Sequence, residues 1–181
     1  MAGRADDDDL DADLDAELAA ERADDAVRER RRLRDLSERI GEETTFAELV
    51  VGHAIRGGVI TAAVHGGARH SGTIVALGAD VVVMRSTLDQ LVLVPMAAMA
   101  SIRHHEPAGA ADGPALDRHA TLHDVLIDWA AARRRVVIST TAGTVSGQLI
   151  STGTDVITVV TDSVEREQVQ VWLPSVTAVS S

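Results

Sequence analysis

The ten residues Ser71–Asp80 read SGTIVALGAD, and Ser146–Asp155, 75 positions later, read SGQLISTGTD. Gly72 and Gly147 recur inside runs of β-forming residues. A glycine there marks a bulge, a sharp bend or a close approach of two backbones. Gly78 and Gly153 fall where the run stops, and a tight turn with positive φ is expected at each. Asp80 and Asp155 follow by two, placed to accept hydrogen bonds from amides of that turn. The phrase reads as a bend, a turn and a turn cap. Ser71 and Ser146 are not read as nucleophiles, because the G-x-S-x-G elbow is absent.

Working outward from the phrase, both flanks repeat as well. TTFAELVVGHAI (44–55) reads as a short helix, with Thr45 and Glu48 in capping-box spacing. Strands follow at 59–66, 70–77, 80–86, 90–95 and 99–104, separated by Gly66–Gly67, Gly78–Ala79 and Leu88–Asp89. TLHDVLIDWAAARR (121–134) restarts the pattern. Leu122, Val125, Leu126 and Trp129 share one helical face, and five more strand-like runs lead to Ser181. Pro95 and Pro174 are paired at an offset of 79, which assigns the second half a loop four residues longer. The order helix, four strands, proline, strand therefore occurs twice, as an internal duplication.

The expected fold is mainly β with helices: a charged N-terminal helical arm (1–41), a small barrel (42–105), a Pro/Gly/Ala linker (106–118) and a second small barrel (119–181). Each barrel closes a core of Val, Ile and Leu. With 2% aromatic residues and no tyrosine, the core as a whole must be built from Val, Ile, Leu, Ala and Met. The absence of cysteine excludes disulfides, thiolate metal sites and a cysteine nucleophile.

The arm is strongly polarised. Residues 1–20 carry eight carboxylates against Arg4, whereas 21–40 carry seven arginines against six acids. Acids early and bases late suit the helix dipole. Leu14, Leu18, Leu33, Leu36 and Ile40 share a face that Arg22 and Glu29 interrupt, so a strict heptad coiled coil is not expected. The arm is a candidate for joining a partner helix or forming an oligomer. Neither a secretory signal nor a membrane-length apolar run is seen, and a cytoplasmic location is expected.

Residues 44–104 and 120–180 resemble Sm-like small barrels of the SH3-like kind. The resemblance rests on the SG-x5-G-x-D phrase and on the order of one helix and five strands. The whole layout is also similar to that of a set of actinobacterial proteins sometimes labelled Fis-family transcriptional regulators. A Fis-type reader needs a helix-turn-helix, and no pair of helices has that spacing here. Resemblance to Sm proteins implies an oligomeric ring that binds single-stranded RNA. The residues that would make those RNA contacts are missing: the chain has no asparagine, and the loops RSTLDQ and TDSVEREQ hold no Arg–Gly pair.

No pattern for chemistry stands out. A phosphate cradle is absent, and no carboxylate pair repeats at strand ends. His65 and His70 flank the first hairpin, and His104 and His105 end a strand. His119 and His123, near Asp117 and Asp124, have i,i+4 spacing but no obvious third ligand. The expectation is a non-enzymatic interaction or scaffold protein with a protein partner and no cofactor or metal. The alternative is a nucleic-acid-associated regulator that contacts phosphates through Arg28, Arg30, Arg31, Arg32 and Arg34 and through Arg133, Arg134 and Arg135. With a net charge of −11 and almost no aromatic stacking surface, that alternative needs a local basic patch.

Overall fold

The computed structural model describes residues 27–32, 44–105, 114–117 and 119–181. Residues 27–32 are helical and belong to a unit that runs to Thr45. The rest of the expected arm, Arg34 included, lies outside the described residues. Phe46–Ser181 is a single compact unit.

This unit is mainly β. Helix α1 (Phe46–Arg56) leads to β1 (Val59–Val64), β2 (Arg69–Leu77), β3 (Val81–Ser86), β4 (Leu91–Pro95) and β5 (Met99–His104). After β6 (Ala115–Leu116) come α2 (Leu122–Ala131), β7 (Arg135–Thr140), β8 (Thr144–Thr152), β9 (Val156–Thr161), β10 (Gln168–Trp172) and β11 (Val176–Ser180). A 3-10 turn precedes the last strand of each half, at Met96–Ala98 and Leu173–Ser175. Among the described residues no helix is long and apolar enough to cross a membrane.

The eleven strands among the described residues form one sheet, in the order β10-β9-β8-β7-β11-β4-β3-β2-β1-β5, with β6 beside β2. The pairs are antiparallel except β2 with β6. The sheet does not close. β4 of the first half meets β11 of the second, with Leu93 opposite Val179 and Val92 opposite Ser180. The linker also does more than connect: Ala115 and Leu116 pair with Ala76 and Leu77.

The opening phrase performs the same local work twice. A Cβ on Gly72 would strike the Arg85 carbonyl oxygen, and one on Gly147 the Val160 carbonyl oxygen. The pairing register slips between Ile74 and Ala76 in β2, and between Leu149 and Ser151 in β8. A close backbone crossing followed by a bulge bends each long strand, and only glycine fits the crossing.

Gly78 and Gly153 differ from expectation, since neither is among the residues with positive φ. They are glycines for lack of room. A Cβ on Gly78 would strike the Ala120 carbonyl oxygen and lie 2.8 Å from Val81 Cγ1, and one on Gly153 would lie 2.9 Å from Val156 Cγ1. Positive φ is used at Gly66 and Gly67 instead, where the chain reverses between β1 and β2.

The registers also fix which residues correspond between the halves. Met96 N donates to the Asp80 carbonyl at 2.7 Å, and Leu173 N to the Asp155 carbonyl at 2.8 Å. Pro95 stands opposite Val81, and Trp172 opposite Val156. Pro95 therefore corresponds to Trp172, and Pro174 sits two residues further on, inside the 3-10 turn. The two prolines are not equivalent. The second half's loop is longer by two residues, not four: six residues (162–167) replace four (87–90).

The core has two parts that interlock. One gathers Leu122, Leu126, Trp129, Ile138, Leu149, Ile157 and Val159 of the second half, together with Val81 and Leu93 of the first. The other gathers Val50, Ile60, Val82, Met84, Val92 and Val94 of the first half, together with Ala178 of the second. Successive side chains on a strand face opposite ways. β4, reading LVLVP, thus sends Leu93 into one core and Val92 and Val94 into the other. It is apolar on both faces because both faces are covered.

Candidate interaction site: the seam and its unpartnered counterparts

At the seam the two halves join by more than a strand pair. The Asp80 carboxylate accepts from Leu122 N at 2.7 Å, a negative charge at the start of α2. Ala79 N donates to the Ala120 carbonyl at 2.7 Å. Asp80 was expected to cap its own turn; it anchors the other half's helix instead. Asp155 contributes its backbone carbonyl in the matching position. A cavity of about 300 Å³ lies along the seam beside Asp80, Pro95, Leu122, His123, Pro174 and Val176.

Seam residues are buried because the halves cover each other. Val81 and Leu93 share a core with Leu122 and Trp129, and Leu122 is 4% exposed. Fully burying one such side chain stabilises by roughly 1.5–3 kcal/mol. Among the described residues, the corresponding positions of the first half are more exposed. On α1, Phe46 corresponds to Leu122 and Leu49 to Val125. Phe46 is 38% exposed and Leu49 is 44% exposed. At the other end of the sheet, Trp172 is 61% exposed, and β10 has an uncovered edge. The seam thus has two half-sites: the α1 face beside edge strand β5, and the outer edge of β10.

The second half-site differs in one respect. Leu91 and Leu93 of β4 correspond to Gln168 and Gln170 of β10, both exposed. QVQVW alternates where LVLVP does not. This contrast is visible in the sequence, yet matching the halves for likeness passed over it.

His53 and His104 lie on the two elements of the first half-site, α1 and β5. His53, which sequence reasoning did not single out, stacks on His104 with ring centroids 5.2 Å apart. Desolvation, with Arg56 and His104 adding to it, holds His53 below its ordinary pKa. Burial does the same to His70. His70 Nε2 and His104 Nδ1 are buried without a hydrogen-bond partner. His105 Nε2 lies 3.0 Å from Thr61 Oγ1, which lies 2.8 Å from Ser71 Oγ. His65 lines the seam cavity. His123 Nε2 donates to the Gly153 carbonyl at 2.9 Å, and His119 N donates to Asp117 Oδ1. No group of three or more metal-ligating side chains occurs among the described residues.

The two arginine clusters are not alike. Arg28, Arg30, Arg31 and Arg32 lie on the exposed helical stretch 27–32. Arg133 ends α2 with φ 52° and donates its backbone N–H to the Ala130 carbonyl. Arg134 lies over the Trp129 ring, 5.2 Å from its centroid. Arg135 grips Asp162 through Nη2 at 2.7 Å and Nε at 3.0 Å. Hydrogen bonding to Arg135 lowers the Asp162 pKa. Any phosphate at Arg135 competes with that carboxylate.

No protein-family model matches the chain, and no curated protein matches it.

Proposed function

We propose that the protein is a non-enzymatic interaction module: two Sm-like small barrels in tandem, locked to each other, presenting the α1–β5 face to a protein partner. The recurring strand order and the repeated bend at Gly72 and Gly147 support the tandem reading. One observation carries the interaction reading. Phe46 and Leu49 stand exposed on α1, while their counterparts are buried (Leu122) and half-buried (Val125) in a core that includes Val81 and Leu93 of the other half. An apolar helix face beside an open strand edge offers a partner both side-chain and main-chain contacts.

Site-specific photo-cross-linking in the expressing cell tests this. A cross-linker at Leu49 is expected to give discrete protein adducts, and one at exposed Leu88, between β3 and β4, is not. Equal yields at the two positions would refute the reading. The alternative, phosphate contact through the arginines, draws support from the exposed Arg28–Arg32 stretch. A gel shift against mixed RNA and DNA at low salt is expected to show no complex; a complex lost on replacing Arg28, Arg30, Arg31 and Arg32 with alanine would favour the alternative.

A further inference from the structure

The two halves share their strand order but not their side chains, and one difference between them is a matter of charge. We propose that the outer face of β1, β2 and β5 holds a phosphate group, free or carried on a small molecule, between Arg69 and Arg103. The site stands apart from the α1 face and does not depend on it.

The strand registers build it. Residues paired across antiparallel strands lie on the same side of a sheet. Thr61 of β1 pairs with Ser71 of β2 and with Arg103 of β5, and Ala63 pairs with Arg69 and with Ser101. These six side chains therefore share one face. Ile60, Ala62 and Val64 alternate with them and are buried in the core that Val50 and Ala54 of α1 complete. The shared face is thus the reverse of the sheet from α1. There, Thr61, Ala63, Arg69, Ser101, Arg103 and His105 line a cavity of about 210 Å³. The small side chain of Ala63 leaves the floor open. Thr61 Oγ1, 3.0 Å from His105 Nε2 and 2.8 Å from Ser71 Oγ, ties the imidazole to that floor.

Charge and size select the ligand. No carboxylate lines the cavity. Among the described residues Arg69 and Arg103 have no ion pair, whereas Asp162 holds Arg135 and Asp89 holds Arg85. Two guanidinium groups flanking one strand repel each other, and an anion between them relieves that repulsion. A phosphomonoester carries about −1.5 to −2 charge at pH 7 and three free oxygens. Those oxygens suit two arginine forks and the hydroxyls of Thr61 and Ser101. A carboxylate offers less charge and fewer acceptors. The cavity is smaller than the ~300–1,000 Å³ of sites for drug-sized ligands, so any attached carbon skeleton is short. Its lining has no Phe, Tyr or Trp on which a nucleic-acid base would stack.

The repeated folding pattern does not require these arginines. Val136 meets Gly147 as Ile60 meets Gly72, which equates Thr61 with Val137 and Ala63 with Ser139. By the same registers Arg69 corresponds to Thr144 and Arg103 to Ser180. The second half builds the same strands there without a charge.

Isothermal titration calorimetry of the full chain, near physiological ionic strength, tests the site with inorganic phosphate and glycerol 3-phosphate as probes. Binding at one site is expected, with acetate at least ~10-fold weaker. Arg69→Ala and Arg103→Ala are each expected to weaken it at least ~10-fold, because hydrogen bonds to a charged group are lost. Arg56→Ala removes the same charge from α1, on the other face, and is expected to change it less than ~2-fold, because salt screens distant charges. Ala63→Val keeps every charge and suits a strand, but fills the floor. It is expected to abolish binding without lowering the melting temperature.

Failure of both probes to bind at millimolar concentration overturns the inference. So does binding that Arg56→Ala weakens as much as Arg103→Ala, or that Ala63→Val leaves intact, since either marks a general attraction to positive charge. Tighter binding of inorganic phosphate assigns free phosphate as the ligand, and tighter binding of glycerol 3-phosphate assigns a small ester; both support the site. A short single-stranded RNA that binds more tightly than either probe through the same arginines would overturn the small ligand in favour of nucleic acid.

Discussion

Replacing Gly147 with alanine should cost the fold several kcal/mol, although it adds only a methyl group. The new Cβ would meet the Val160 carbonyl oxygen and lie 2.8 Å from Thr161 Cα, with the Val160 carbonyl carbon also at 2.8 Å. Ordinary contact begins near 3.4 Å, so β9 must retreat from β8 by about 0.6 Å on the Thr161 side alone. The obstruction is backbone, and backbone in a ladder cannot swing aside as a flexible side chain can. Overpacking of this kind costs about 1–3 kcal/mol, and more when a strand has to move. For a chain of this size each kcal/mol lowers the melting temperature by about 2–4 °C. A loss of about 3 kcal/mol therefore lowers it by roughly 6–12 °C. Thermal and urea melts followed by circular dichroism measure it. Gly72→Ala, facing the Arg85 carbonyl, should behave alike. Gly52→Ala is the opposing control. It lies within α1, and its added Cβ meets nothing closer than Arg56 Nη2 at 3.9 Å. Alanine there should stabilise by about 0.5–1 kcal/mol. A Gly147→Ala protein that melts at or above the wild-type temperature would refute the account of the bend.

Three further outcomes are expected. Asp80→Ala removes the acceptor for Leu122 N across the seam and should destabilise by about 1–3 kcal/mol, read as a lower urea midpoint. Thr121→Ala breaks the capping box at the start of α2 and should destabilise by about 1 kcal/mol. That cap also responds to acid. Hydrogen bonds from Thr121 hold the Asp124 pKa below its ordinary value, so the cap is complete above the normal carboxylate range and fails as pH falls through the depressed pKa; a carbon-13 titration of the Asp124 carboxyl follows it. The histidines act in a different window. Burial lowers the pKa of His70, and desolvation that of His53, so the unfolded chain takes up protons first as pH falls. Their contribution is full above about pH 6.5 and declines as pH drops from there through the folded pKa values. Melts at pH 7.5 and pH 5.5 should show this drop, and His70→Leu should reduce it.

Much of the local architecture was legible in particular residues. Gly72 and Gly147 announced a close crossing because a glycine inside a β-branched run has few other uses. The spacing of Leu122, Val125, Leu126 and Trp129 announced the second helix. Turn chemistry was less legible: Gly78 and Gly153 looked like positive-φ glycines, whereas the Ala120 carbonyl oxygen and the Val81 side chain exclude a Cβ at Gly78, and the Val156 side chain does so at Gly153. The prolines misled because Pro174 fits inside the 3-10 turn while Pro95 ends a strand. His53 gave no signal at all; its stacking partner, His104, is 51 positions away.

What the sequence determined by itself is the order of elements, the bends and the caps. Each of these depends on steric and hydrogen-bond preferences expressed within a few neighbouring residues. Only the tertiary structure decided where the strand edges go. An unpaired ladder does not distinguish its own half from the other, so β4 meeting β11, and not β5, depends on which side chains are covered once the chain has come together. LVLVP has two apolar faces to bury and QVQVW has one. That contrast leaves β10 at the margin of the sheet, and among the described residues no strand stands over the α1 face as β4 does over α2.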